Sequence, residues 1–124
     1  MAHAAQVLAH ADPVIVAGPG FVRITPPVDM ALREMLARIE GLGHWIRGLP
    51  SPGVLIDMRE HTHVGPTENV LLGHHCGQHL RGARVAVLVP CRDGQGQQAA
   101  RRLGLDMRSF EDEDWALDWL RGEG

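Results

Sequence analysis

Apolar residues along this chain change period repeatedly, between short solid runs and longer stretches where they recur every three to four positions. Residues 14–17 (VIVA) and 21–25 (FVRIT) are β-branched runs separated by Gly18-Pro19-Gly20, the punctuation of a hairpin, so they are expected to pair antiparallel. After Pro26-Pro27, the positions Met30, Leu32, Met35, Leu36, Ile39 and Leu42 recur at helical spacing, and Gly41 and Gly43 are expected to stop that helix. Residues 53–58 (GVLIDM) and 84–90 (RVAVLVP) are nearly continuous apolar runs, the signature of strands covered on both faces. Between them, residues 66–80 read as a helix with Gly65 or Thr67 near its start and Gly82 just past its end. A short helix over residues 95–103, ended by Gly104, leads into a last strand at residues 105–110 and a last helix at 112–121.

The last helix is the best specified. Asp112 is a natural N-cap, acidic residues fill the first turn and Arg121 stands in the last, each complementing the helix dipole. Trp115 and Trp119 are spaced i and i+4, which places them on one edge of the helix to pack against the sheet, with room for one to stay partly exposed. The resulting order β-β-α-β-α-β-α-β-α predicts an α/β protein with a mainly parallel sheet of four to five strands flanked by helices, and one antiparallel edge strand. At 124 residues this is one domain, with residues 1–11 a loosely packed leading segment.

The combination of GVLIDM, RVAVLVP and the closing pattern Phe110-x-Asp112-x-x-x-Ala116-x-x-Trp119-Leu120 resembles the SpoIIAA-like, or STAS-like, bacterial proteins over nearly the whole chain. The pair Ile56-Asp57 at the end of the third strand is a second point of agreement. That resemblance implies helices packed on a four- or five-stranded sheet, and a regulatory protein-binding module of which some relatives are switched by phosphorylation. Counted from Asp57 without gaps, the phosphorylatable turn of such switches falls on Gly65-Pro66-Thr67-Glu68, so Thr67 takes the place of the hydroxyl. The rest of the turn departs from the pattern: Gly65 stands for the Asp, Pro66 for the first Ser, and Glu68 for the Gly, where its charge opposes a phosphate. The plainer reading of Thr67 is a residue capping the helix end.

Composition adds bounds more than identity. The chain is 44% hydrophobic and 22% charged with a net charge of −3, which excludes a disordered or nucleic-acid-coating chain. All 12 basic residues are arginine, a bias that speaks of codon usage rather than mechanism. The first eleven residues lack a basic stretch followed by an apolar core, and the longest apolar runs are strand-sized, so neither a secretion signal nor a membrane span is expected and the protein is placed in the cytoplasm. Cys76 and Cys91 have no CxxC partner, and Ser51 and Ser109, the only serines, sit in no nucleophile motif. Catalysis therefore has no positive sign.

Two clusters could carry chemistry. His61, His63, His74, His75, Cys76 and His79 fall within nineteen residues, and His75 and His79 share one helix face at i and i+4, the spacing with which two imidazoles converge on Zn²⁺ or Ni²⁺. His61 and His63 lie at the other end of that helix, about 12 Å or more away at the helical rise, so one site cannot use them all. A site on His75 and His79 would be completed by His74, Cys76 or a neighbouring loop residue; the alternative is a solvated face. The second cluster, Gly94-Gln95-Gly96-Gln97-Gln98-Ala99, is formally a G-x-G-x-x-A dinucleotide fingerprint followed by Glu111 and Asp112. It comes late in the chain, four residues after its strand, which favours a surface loop. Arg92, Arg101 and Arg102 could hold an anion beside it.

The expectation is thus a non-catalytic binding or regulatory module without a cofactor, recognising another protein or a small apolar or anionic ligand, with neither nucleic acid nor membrane as partner and its oligomeric state open. Open α/β sheets bind at the carboxyl ends of their strands, and Asp57, His61, His63, Thr67 and Asp93 are placed there. A metal-dependent and a nucleotide-dependent protein are the alternatives.

Overall fold

A computed structural model describes residues 15–18, 21–48, 52–61, 65–89 and 101–122. It contains one five-stranded sheet in the sequential order β1 (Ile15–Gly18), β2 (Phe21–Ile24), β3 (Gly53–Asp57), β4 (Arg84–Leu88) and β5 (Asp106–Phe110). The hairpin β1–β2 is antiparallel and the other three pairings are parallel. Three helices are described: α1 (Leu32–Ile46), α2 (Pro66–His79) and α3 (Glu113–Leu120). The solid apolar runs become β3 and β4, adjacent and parallel, with every residue of β3 buried as their composition implies.

Side chains alternate along each strand, so the sheet divides into two inventories. Val22, Ile24, Val54, Ile56, Val85, Val87 and Met107 face a core completed by Met35, Ile39, Leu42 and Ile46 of α1 and by Cys76 and Leu80 at the end of α2. Phe21, Leu55, Ala86, Leu88 and Phe110 face the opposite way, onto Ala116, Leu117, Trp119 and Leu120 of α3. Parallel strands added in one direction put their crossover helices on one face, which is why α1 and α2 touch each other and α3, with no strand after it, is left for the other side.

Helix ends depart from expectation in two places. Gly41 and Gly43 do not stop α1, which continues one turn further to Ile46, because Leu42, Gly43 and Ile46 are buried and packing outweighs the weak helix propensity of glycine. Gly43 has a positive reason to be glycine: a Cβ there would collide with the backbone carbonyl of His79, so the bare Cα is what lets α1 and α2 approach. At the start of α2 the N-cap is Gly65, whose N–H donates to the Glu68 carboxylate at 2.6 Å, and Thr67 is an exposed first-turn residue rather than the cap.

The other ends follow the sequence. Asp112 caps α3 by accepting from the N–H groups of Asp114 (2.8 Å) and Trp115 (3.2 Å). Gly82 and Gly104, at φ +91° and +89°, occupy the left-handed region that only glycine enters cheaply, the first after α2 and the second after the helical residues Arg101 and Arg102. The body of the helix expected over residues 95–103 lies outside the described residues, as do residues 1–11 and the hairpin residues Pro19 and Gly20.

Candidate functional site at the carboxyl edge of the sheet

The carboxyl ends of β2 and β3 carry a closed set of four charges. Arg23, the one charged residue of β2, and Asp57, the last residue of β3, stand on the face covered by α3. Their side chains meet at 2.8 Å, Arg23 Nη2 donating to Asp57 Oδ2. Arg59, two residues on, donates to the same carboxylate from Nε (3.0 Å), Nη2 (2.8 Å) and its backbone N–H (3.1 Å), closing a fork around both oxygens. Glu113, the first residue of α3, accepts from Arg23 Nη2 at 2.9 Å and Arg59 Nη2 at 3.0 Å, so two guanidinium groups bridge two carboxylates.

Position decides how strongly each charge is held. Asp57 is only 9% exposed, and hydrogen bonds from Arg59 lower its carboxyl below the ordinary range in spite of the cost of burial. The Glu113 carboxyl is lowered too, chiefly by the Arg23 hydrogen bond. The Arg23 and Arg59 guanidiniums are raised in return by Glu113 and Asp57 respectively. All four groups are ionised at neutral pH and their charges cancel. The cluster therefore offers neither a poised proton acceptor nor a free anion. It fastens the amino end of α3 across β2 and β3, and Glu113 is further favoured by the dipole of the helix it begins.

His61, expected at this edge as a ligand-facing residue, is a buried strut. Its backbone N–H closes a turn on Met58 O at 2.9 Å, and its Nε2 donates to Pro26 O at 3.0 Å, tying the segment after β3 to the segment after β2. Thr67 is exposed at the start of α2. His63 and Asp93 lie outside the described residues, as do Gly94 to Ala99, Cys91 and Arg92. Arg101 and Arg102 are exposed.

The histidine cluster separates by face. Cys76 turns into the core, where burial pushes its thiol up to about 12, and its sulfur is not among the donor atoms that converge with His75 and His79; His74 is exposed. The partner that the fold brings to His75 and His79 is Glu40 of α1. Sequence reasoning missed Glu40 because nothing local ties it to residues in α2, and missed Arg23, Arg59 and Glu113 because each reads as an ordinary surface charge. A lone arginine inside the apolar run of β2 was the signal available for the first of these.

Comparison with protein-family models, with curated proteins and with solved structures finds no match for this chain.

Proposed function

We propose that the protein is a non-catalytic binding or regulatory module of SpoIIAA-like (STAS-like) type that recognises another protein with the carboxyl edge of its sheet. One observation carries the reading: the large apolar side chains that are exposed among the described residues, Val28, Val70, Leu71 and Trp115, all belong to segments that have just left the carboxyl end of a parallel strand. Val28 follows β2, Val70 and Leu71 stand in the second turn of α2 after β3, and Trp115 stands in the first turn of α3 after β5. Trp115 is 70% exposed while Trp119, one turn on, is 3% exposed. Exposed aromatic and aliphatic groups beside an arginine-bearing rim are the composition of protein-recognition surfaces. The self-neutralised Arg23–Asp57–Arg59–Glu113 set supports a binding role over a catalytic one, since it holds the edge rigid without leaving a reactive group.

The family part of the reading rests on Ile56-Asp57 at the end of β3 and on the closing pattern that builds α3. No helix among the described residues is long and apolar enough to cross a membrane. The test is photocrosslinking in cells of the producing organism, with a photoreactive residue at Leu71 or Trp115 and a control at exposed Arg81, past the far end of α2. A discrete adduct from the first two and none from Arg81, lost with Val70→Asp plus Leu71→Asp, supports the reading. A thermal-shift screen with nucleotides and apolar or anionic small molecules is the counter-test, because a ligand at a hundred times its Kd stabilises the fold by about 2.7 kcal/mol. A shift of that size with a nucleotide, and no edge adduct, replaces this function with a nucleotide-dependent one.

A further inference from the structure

We propose that Glu40, His75 and His79 bind one divalent transition-metal ion, Zn²⁺ by its donor chemistry, bridging α1 and α2. The three residues bring one donor atom each to within 4.8 Å of one another. His75 Nε2 lies 3.2 Å from Glu40 Oε1 and His79 Nε2 lies 3.9 Å from it, while the two imidazole rings stand 4.5 Å apart. Two donors bound to tetrahedral zinc at about 2.0–2.1 Å are themselves about 3.4 Å apart, so the two imidazole–carboxylate separations straddle the bound value and side-chain rotation is the adjustment that closure on an ion requires. Two imidazoles and one carboxylate are a zinc donor set that leaves the fourth position to water.

Two further features point the same way. The Nε2 atom of His75 is buried and makes no hydrogen bond among the described residues, its 3.2 Å approach to Glu40 Oε1 being an ion-pair contact alone. An imidazole nitrogen enclosed without a hydrogen bond beside two other donors is what a metal would satisfy. The backbone supplies the second feature. Gly43 lies one turn beyond Glu40 on α1, and its missing side chain admits the His79 carbonyl, so the closest approach of the helices falls beside the donors. Any side chain at position 43 would move Glu40 away from both histidines.

The site is independent of the proposed binding edge. His75 is nine residues into α2, about 14 Å from the carboxyl edge at the helical rise, and neither Arg23, Asp57, Arg59 nor Glu113 contributes to it. A bound ion would cross-link the two helices that build the larger core, and thereby stabilise the folded chain.

The experiment uses the untagged full chain, stripped with chelator and titrated with Zn²⁺ by calorimetry and with Co²⁺ by visible absorption. The proposal expects one ion per chain, a tetrahedral or five-coordinate Co²⁺ spectrum, and a raised melting temperature. It expects Glu40→Gln, His75→Gln and His79→Gln each to weaken binding by at least about a hundredfold, the upper end of what groups behind the ligands alone contribute. Glu40 is half exposed, so its variant folds and reads the metal directly. Gly43→Ala should weaken binding through helix separation, and His74→Gln, at an exposed position, should leave it unchanged. Absence of stoichiometric binding, or binding that survives Glu40→Gln or disappears with His74→Gln, overturns the proposal.

Discussion

The two faces of the sheet are built from the same strands yet by different rules. On the α1/α2 face every sheet residue in the described parallel strands is apolar except Ser109, and two helices of 15 and 14 residues cover it. On the α3 face the same strands present Arg23, Asp57, Arg84, Asp106 and Arg108 around a narrow apolar strip, under a helix of 8 residues. The sheet side of the first face is held by apolar burial, which is strong and indifferent to pH, and its polar contacts lie between the covering helices, where Glu40 meets His75 and His79. The second is held at its edges by charge: Glu113 enters the Arg23–Asp57–Arg59 set, and Trp119 lies beneath the guanidinium of Arg84 at 4.3 Å with Arg108 at 5.4 Å and Phe110 5.7 Å away. A short helix buries too little to be fixed by area, so geometry-specific contacts complete the attachment. The exposed large apolar side chains Val28, Val70, Leu71 and Trp115 stand in segments that follow the carboxyl ends of strands.

The largest expected effects come from emptying either core. Leu42→Ala on the first face should cost about 2–5 kcal/mol and Trp119→Ala on the second about 3–5 kcal/mol. The contrast lies in what opens: hydrogen exchange should show protection falling across the whole sheet in the first variant and earliest in α3 in the second. In a Cys91→Ser background, Leu42→Ala should also speed alkylation of Cys76, whose thiol at about 12 is ionised in only roughly one molecule in ten thousand at pH 8 and reacts through opening. Equal loss of protection everywhere in the Trp119 variant would mean that α3 is not a separable unit.

Next in size is the charge set. Asp57→Asn should cost about 1–3 kcal/mol, since it leaves two guanidiniums with one shared carboxylate. Arg59→Ala, at the wetter rim, should cost no more than about 1 kcal/mol. Because the folded-state values of Asp57 and Glu113 are both lowered, their stabilisation is present above the ordinary carboxylate values near 4 and is lost as pH falls through the lowered ones. Urea melts from pH 6 to pH 2 should therefore show less acid destabilisation in Asp57→Asn, while Leu42→Ala follows the parent profile displaced downward. Parallel profiles for all three would remove charge from the account of the second face.

Smaller again, Asp112→Ala should cost about 1 kcal/mol by freeing the N–H groups of Asp114 and Trp115, read as a lower melting temperature and faster exchange in the first turn of α3. Smallest in stability, Trp115→Ala and Leu71→Ala should each stay within about 0.5 kcal/mol while abolishing capture at the carboxyl edge. A stability loss several times larger would show these side chains to be packed, and would take away the surface on which the proposed function rests.

Much of the fold was legible because its signals are local. GVLIDM and RVAVLVP announce buried parallel strands without reference to the rest of the chain, and Asp112, Gly82 and Gly104 mark helix ends through their own backbone chemistry. Where a local rule failed, packing had overruled it: Gly43 reads as a helix stop, yet the tight crossing of α1 over α2 makes it a requirement inside the helix. Trp115 and Trp119 share one helical edge by spacing, and only the reach of a short α3 over the sheet decided that one is buried and the other exposed. The charged and metal-type clusters belong wholly to the tertiary structure. Arg23 and Glu113 are ninety residues apart, and Glu40 is thirty-five from His75; such pairs are joined by strand order and helix crossing, which no residue's own propensity encodes.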